Sequence, residues 1–183
     1  LSPFHYFGVT DITVDGRILD ENSDFNILLS DERVERIIEK IKEFDCDDGN
    51  VRGLMFCSRV EEAEKISIKL NNRGLKTLAL SGKNSEDERA EAIRMLESES
   101  KEEKLDYILT VDIFNEGIDI PKINQIVMLR PTQSAIIFVQ QLGRGLRKID
   151  NKEYLTVIDF IGNYQNNYMI PVALFGDTSY DKD

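Results

Sequence analysis

The sequence lacks several features that would mark common classes of protein. No apolar run approaches the roughly 20 residues of a membrane-spanning helix, and no basic, apolar and small-residue succession marks a secretory signal. Only two cysteines occur, Cys46 and Cys57, and their spacing fits neither a metal site nor a disulfide framework. These absences exclude a spanning protein and lead us to expect a reducing, cytoplasmic setting.

What the chain does contain suits one folded domain. Its 183 residues are 41% hydrophobic and 31% charged, which is enough apolar material for a sizeable core. The first residue is Leu1 rather than Met, so we expect the chain to be part of a longer protein. His5 is the only histidine, and we expect it to pack in an aromatic cluster rather than to bind a ligand.

The charge is unevenly distributed along the chain. A net charge of −11 argues against a nucleic-acid partner if it is evenly spread. The acids instead collect in Asp45–Asp48 and Glu97–Asp106, and none occurs between Ile120 and Ile149. The basic residues of that acid-free stretch are Lys122, Arg130, Arg144, Arg147 and Lys148.

Apolar runs of strand length alternate with helical patterns along most of the chain. The predicted strands are Val51–Cys57, Lys76–Leu80, Leu105–Val111, Gln125–Leu129 and Tyr154–Phe160. Helices are predicted from Ser30, from a capping box of Ser58 with Glu61, from a capping box of Ser85 with Glu88, and over Ser134–Leu142. Such alternation predicts an α/β fold, a three-layer α/β/α sandwich around a mostly parallel sheet.

Three parts of the chain are distinguished. We expect residues 1–29 to be a lead-in segment from an upstream domain, with a possible hairpin at Asp15-Gly16. Residues 30–164 hold the alternating pattern, and we expect them to form the domain. Residues 165–183 are expected to begin a connection to a downstream region.

The loops that follow the strands are where an open parallel sheet binds its ligands. Ser58 and Arg59 place a hydroxyl and a guanidinium at a helix N-terminus, which favours an anion, although Ser58 also serves as a helix cap. Asp112 and Asp119 flank a glycine loop and suit metal binding or general acid-base catalysis. Alternatively, Asp112 caps a short helix and Gly117 supplies a turn.

A third loop follows the helix predicted over Ser134–Leu142. Arg144 and Arg147 lie three residues apart, a spacing that suits bidentate phosphate recognition but is also common on surface helices. The neighbouring Gly143 and Gly145 each cost a helix about 1 kcal/mol, which indicates a specific need for them.

Taken in order, these segments resemble the second RecA-like domain of superfamily-2 helicases and translocases, from about Ser30 to Tyr164. Gly53–Arg59 resembles motif IV, Leu80–Gly82 the next conserved block, Thr110–Pro121 motif V, and Gln140–Arg147 motif VI. Within the superfamily, motifs V and VI are similar to those of DEAD/DEAH-like ATPases related to restriction-enzyme helicase subunits.

The resemblance implies a function and a set of residues. ATP with Mg²⁺ would bind between this domain and an N-terminal RecA-like domain of the same polypeptide, which would hold the metal. The implied arginine fingers are Arg144 and Arg147. The implied nucleotide-side residues are Gly117, Asp119 and Gln140. The implied contacts to the nucleic-acid backbone, with DNA favoured over RNA, are Ser58, Arg59, Ser81 and Gly82.

Half of such an ATP site is missing from the sequence, because no G-x-x-x-x-G-K-[ST] loop occurs in it. We therefore expect this chain alone not to hydrolyse ATP. Two other interpretations stay open. One is a non-catalytic α/β module that binds nucleic acid or protein, and the other is a flavodoxin-like binder of a small nucleotide.

Overall fold

A computed structural model of the chain describes residues 4–19, 24–46, 49–111, 120, 122–129 and 154–160. Its elements are, in chain order, β1 Phe4–Gly8, β2 Thr13–Val14, β3 Arg17–Ile18, α1 Phe25–Leu28, α2 Asp31–Glu43, β4 Gly53–Phe56, α3 Val60–Asn71, β5 Thr77–Leu80, α4 Glu86–Glu97, β6 Tyr107–Thr110, β7 Gln125–Met128 and β8 Leu155–Asp159. The helix expected over Ser134–Leu142 and the connection expected over residues 165–183 lie outside the described residues.

Six strands of the described residues form one sheet in the order β1-β8-β7-β4-β6-β5. Every pairing in it is parallel, as the alternation of strands and helices predicts. All five predicted strands are present, each shorter than its apolar run because the flanking residues lie in the connecting loops. The α/β fold with a mostly parallel sheet is thus confirmed.

Helices cover both faces of the sheet. Apolar residues of α2 and α3 pack on one face against Met55, Leu109 and Val127. Ala92 and Leu96 of α4 pack on the other face against the remaining inward residues of the strands. The four central strands are buried on both sides, which explains why they are continuous apolar runs rather than alternating ones.

The sixth strand, β1, comes from the segment expected to be a lead-in. It pairs with β8 along its whole length, from Phe4 with Leu155 to Gly8 with Asp159. The Tyr6 hydroxyl also donates a hydrogen bond to the buried Asp159 carboxylate, and burial together with that carboxylate raises the pKa of Tyr6. The lead-in therefore extends the main sheet.

Two further features of the N-terminal segment match the sequence-based expectations. Asp15 and Gly16 have φ values of 51° and 75° and connect β2 to β3, which is the backbone that a two-residue hairpin turn requires. His5 stacks on Tyr154 with ring centroids 4.2 Å apart and meets Phe7 edge-on, so it packs in an aromatic cluster.

A polar cluster supports the sheet at the amino end of its strands. The Tyr107 hydroxyl donates to the side-chain oxygen of Gln125, and the Gln125 amide donates to the carbonyl oxygens of Ile41 and Phe44 at the end of α2. The Tyr107 ring covers the backbone of Gly53 on the neighbouring strand so closely that a Cβ atom there would overlap it. Gly53 is thus required by packing.

Among the described helices, none has both the length and the apolar character needed to cross a membrane. Cys46 and Cys57 are both buried. Cys57 is fully buried in the core beneath α2 and α3, where it acts as a small apolar side chain.

Candidate nucleic-acid interface

The carboxyl ends of the parallel strands lie along one edge of the sheet. Ser58 and Arg59 follow β4, while Ser81 and Gly82 follow β5, and β6 lies between those two strands. The four residues for which nucleic-acid contact is predicted therefore lie in loops at the same edge. Arg59 and Gly82 are exposed, Ser58 is half-buried, and Ser81 is buried.

The Ser58-Arg59 loop is held by Glu62 of α3. Both the backbone N–H and the hydroxyl of Ser58 donate to Oε2 of Glu62, at 3.1 Å each. The predicted capping box of Ser58 with Glu61 is wrong, because α3 begins at Val60 and its N-cap is Arg59, which makes no side-chain cap. Glu62 takes the place of Glu61 because its carboxylate is drawn into a buried ion pair.

That ion pair belongs to a buried cluster centred on Arg33 of α2. The Arg33 Nε lies 2.8 Å from Oδ2 of Asp11, and its Nη1 lies 3.2 Å from Oε1 of Glu62. The same guanidinium donates to the carbonyl oxygens of Leu28 at 3.1 Å and Leu129 at 3.0 Å. It thus joins the N-terminal segment, α1, α3 and the end of β7.

The electrostatics of this cluster favour a permanently charged arginine. Burial alone would lower the pKa of Arg33, but the charges of Asp11 and Glu62 outweigh it and raise that pKa. One positive and two negative charges are buried together, and the backbone N–H groups of Ile12 and Ser58 donate to the two carboxylates. Such compensation is needed for charges to be tolerated away from water.

The Arg59 side chain lies over an aromatic ring at the surface. Its guanidinium carbon is 5.3 Å from the centre of the Phe25 ring, and the Lys65 ammonium is 5.7 Å from the same centre. Both distances lie within the range of cation–π attraction. Phe25 itself packs against the core beneath α2 and α3, so the ring is a fixed support for two exposed cations.

The Ser81-Gly82 loop is ordered by local hydrogen bonds. The Ser81 N–H donates to Oδ1 of Asn84 at 2.8 Å, and the Lys83 N–H donates to the Ser81 hydroxyl at 3.3 Å. Arg89 of α4 donates to the carbonyl oxygen of Gly82 at 3.3 Å. Among the described residues, apart from the two chain neighbours, no atom lies within 4 Å of a Cβ built at Gly82.

The predicted capping box of Ser85 with Glu88 is confirmed directly after this loop. The Ser85 hydroxyl accepts from the Glu88 N–H, and the Glu88 carboxylate accepts from the Ser85 N–H. The donation from the Ser85 N–H is the main reason why the pKa of Glu88 is lowered. The box starts α4 at the edge of the sheet where the loops lie.

A buried hydroxyl ends the strand between the two loops. Thr110, the last residue of β6, is fully buried, and its Oγ1 has no hydrogen-bond partner in the described part of the chain. Thr110 begins the segment that resembles motif V.

The remaining predicted site residues lie outside the described residues. They are Gly117, Asp119, Gln140, Arg144 and Arg147. Conversely, sequence reasoning missed Arg33, Glu62 and Phe25. One signal for Arg33 was available, because it precedes Ile37 by four residues and so lies on the apolar face of α2.

The fold and its edge loops define an α/β domain of the RecA-like kind. Residues 32–148 match the helicase conserved C-terminal domain, which is more than half of the chain. The protein therefore belongs to that family, the helicase conserved C-terminal domains.

Individual relatives agree with this membership. The chain is 30% identical to "Putative helicase 22" of Sulfolobus islandicus filamentous virus over 70% of its length. It is 36% identical to "Putative ATP-dependent helicase IRC3" of Saccharomyces cerevisiae over 44% of its length. It spans only 22% and 12% of those two proteins.

Solved structures share the fold. The C-terminal domain of the DEAD-box protein Dbp5 superposes with a TM-score of 0.60 and 16% sequence identity, covering 97% of this chain and 87% of that one.

Proposed function

We propose that this chain is the C-terminal half of the motor core of an ATP-dependent nucleic-acid helicase or translocase. The observation that carries the proposal is the match to the helicase C-terminal domain over residues 32–148. The placement of two predicted contact loops at one edge of the sheet supports it. The motor would be completed by an N-terminal RecA-like domain that binds the Mg²⁺ and the phosphates of ATP.

Two arginines would take part in ATP hydrolysis. Arg144 and Arg147 act in this proposal as arginine fingers that neutralise charge developing on the γ-phosphate. The residues that would line the nucleotide side of the cleft and couple it to nucleic acid are Gly117, Asp119 and Gln140. Because the phosphate-binding loop belongs to the other domain, this chain alone is expected not to turn over Mg-ATP.

The nucleic acid would bind along the carboxyl edge of the sheet. Arg59 and Lys65 supply exposed positive charge, and the open backbone at Gly82 lets a phosphate approach closely. Ser58 and Ser81 would shape these loops through their hydrogen bonds to Glu62, Asn84 and Lys83. Because the contacts to the nucleic acid are made to phosphates and not to bases, binding would be independent of base sequence and would weaken as the salt concentration increases. The similarity of motifs V and VI to restriction-enzyme helicase subunits favours DNA over RNA.

The arginine fingers are tested by substitution in the complete protein. Arg144→Ala and Arg147→Ala are each expected to lower kcat for nucleic-acid-stimulated ATP hydrolysis by about 10³-fold or more. Binding of a fluorescein-labelled single strand, oligo(dT) or oligo(rU), should change little. Lys148→Ala removes a positive charge from the same segment and is the matched control.

The outcomes separate the open interpretations. Unchanged ATP hydrolysis in both arginine variants would contradict the finger assignment. A complete protein without any ATP hydrolysis would favour the non-catalytic binding module. Tighter binding of oligo(rU) than of oligo(dT) would overturn the preference for DNA.

A further inference from the structure

The loop after β4 is bound from inside the protein by a carboxylate, that of Glu62. The Glu62 carboxylate accepts both the N–H and the hydroxyl of Ser58 through Oε2, and it accepts the Arg33 guanidinium through Oε1. Its side chain is fully buried. The two donors of Ser58 therefore point into the protein, and the exposed charged group of this loop is the guanidinium of Arg59.

The position of Glu62 is favourable for a carboxylate. Glu62 is the third residue of α3, where the free N–H groups and the helix dipole stabilise negative charge. In many phosphate-binding proteins that place is taken by the ligand. Here an internal carboxylate occupies it, so this helix start shapes the loop instead of receiving a phosphate.

Arg33 fixes Glu62 in turn. Its planar guanidinium is held from three other directions, by the Asp11 carboxylate and by the carbonyl oxygens of Leu28 and Leu129. Four of the five N–H groups of Arg33 thus donate to these partners and to Glu62, so the guanidinium cannot rotate without breaking a buried hydrogen bond. The orientation of Glu62, and through it that of Ser58, is thereby set by the domain core.

We propose that Arg33 and Glu62 are positioning residues for the nucleic-acid contact of Arg59. The hydrogen bonds from Arg33 to Glu62 and from Ser58 to Glu62 hold the backbone just before Arg59. The Phe25 ring supports the Arg59 guanidinium from the side. The pair acts through Arg59 and does not touch the nucleic acid. This inference rests on the proposed function, since it requires Arg59 to bind a backbone phosphate.

The same guanidinium also braces a second loop at this edge. Leu129 directly follows β7, and its carbonyl oxygen accepts from Arg33 while its N–H donates to the carbonyl oxygen of Phe56 on β4. Leu129 is followed directly by Arg130, and four of the five basic residues of the acid-free stretch come after it. Arg33 therefore fixes the exits of two neighbouring strands relative to each other.

Glu62→Gln is the informative substitution. A glutamine has one side-chain oxygen, so it can accept from Arg33 or from Ser58, and in either orientation its NH₂ group faces a donor. The change therefore breaks the hydrogen bonding of residue 62 either to Arg33 or to Ser58, while the size and shape of the side chain are kept. Glu61→Gln is the matched control, because Glu61 lies on the same turn, is exposed, and pairs only with Lys65 among the described residues.

The experiment measures binding of fluorescein-labelled oligo(dT) to the complete protein over a salt series, together with ATP hydrolysis. We expect Arg59→Gln to weaken binding roughly threefold to tenfold and to reduce the slope of log K against log salt by about 0.7. Glu62→Gln should reproduce both changes. It should raise the oligonucleotide concentration for half-maximal ATP hydrolysis without lowering kcat, whereas partial unfolding would lower kcat.

The double variant decides the mechanism. If Glu62 acts through Arg59, the combination of Glu62→Gln with Arg59→Gln binds no more weakly than Arg59→Gln alone. Additive losses, or a Glu62→Gln protein that behaves like Glu61→Gln, would overturn the positioning role and leave the proposed function intact. If Arg59→Gln has no effect, Arg59 does not contact the nucleic acid, and the inference is overturned for that reason.

A second variant covers the case in which Glu62→Gln does not fold. Ser58→Ala deletes one of the two donors to Glu62, and Ser58→Thr retains a hydroxyl. We expect the alanine variant to weaken binding non-additively with Arg59→Gln, and the threonine variant to restore it. Unchanged binding by a folded Ser58→Ala protein would overturn the inference.

Discussion

Replacing Gly53 with alanine tests the packing of the central strands. Gly53 lies beneath the Tyr107 ring, and an added Cβ would overlap Cδ1 and Cε1 of that ring and lie 3.3 Å from its Cγ. Non-bonded carbons keep about 3.5–4.0 Å apart. The ring must therefore move, although Tyr107 is only 2% exposed.

The expected cost has two parts. Forcing a methyl group into a packed core costs about 1–3 kcal/mol. Moving the ring also pulls the Tyr107 hydroxyl from Gln125, which adds about 1 kcal/mol for a lost buried hydrogen bond. The free energy of unfolding should thus fall by about 2–4 kcal/mol, and the melting temperature by roughly 4–16 °C.

Urea and thermal unfolding, followed by circular dichroism, measure this loss. Gly82→Ala is the control, because a Cβ there meets no atom within 4 Å in the described part of the chain beyond its neighbours, and its effect should stay within about 0.5 kcal/mol. In a Tyr107→Leu background the cost of Gly53→Ala should shrink, since the obstructing ring is gone. An equal cost in both backgrounds would refute the steric explanation.

Two other predictions concern the ends of helices. The pKa of Glu88 is lowered by the Ser85 N–H, so this group stabilises the fold above its unfolded pKa of about 4.3, and the contribution disappears as the pH falls through the lowered value. The stability difference between the wild type and Glu88→Gln, from urea unfolding across pH, should shrink in acid, and a constant difference would contradict the assignment. Phe25→Leu should lower the free energy of unfolding, measured in the same way, by about 0.5–1 kcal/mol for each of the cation–π pairs with Arg59 and Lys65. Phe25→Tyr keeps an aromatic ring and should not lower it. Equal losses in the two variants would show that the ring face does not contribute.

Local patterns were sufficient to predict most of the fold. The strands from β4 onward are apolar runs bounded by turn residues, and α2 and α4 begin at serine caps. Both signals lie within a few residues of the element that they define, so a single sequence reveals them.

Features that depend on distant partners were not predicted. The Ser58 box failed because the local pattern places the partner three residues later, at Glu61, whereas the buried Arg33 binds the carboxylate of Glu62. The sequence separations of Asp11 and Glu62 from Arg33 are 22 and 29 residues, so no window around Arg33 contains the cluster. The resemblance to helicases predicts which loops contact nucleic acid, and the structure reveals what holds one of them in place.

The pairing of β1 with β8 has a consequence for how the protein is made. Tyr6 and its partner Asp159 are 153 residues apart, so β1 leaves the ribosome long before its partner strand exists. At about 5–20 residues per second, β1 waits roughly 8–30 s with its hydrogen-bonding edge unsatisfied. The first described strand of the chain is therefore among the last to join the sheet, and during that interval its unpaired edge is open to pairing with another chain.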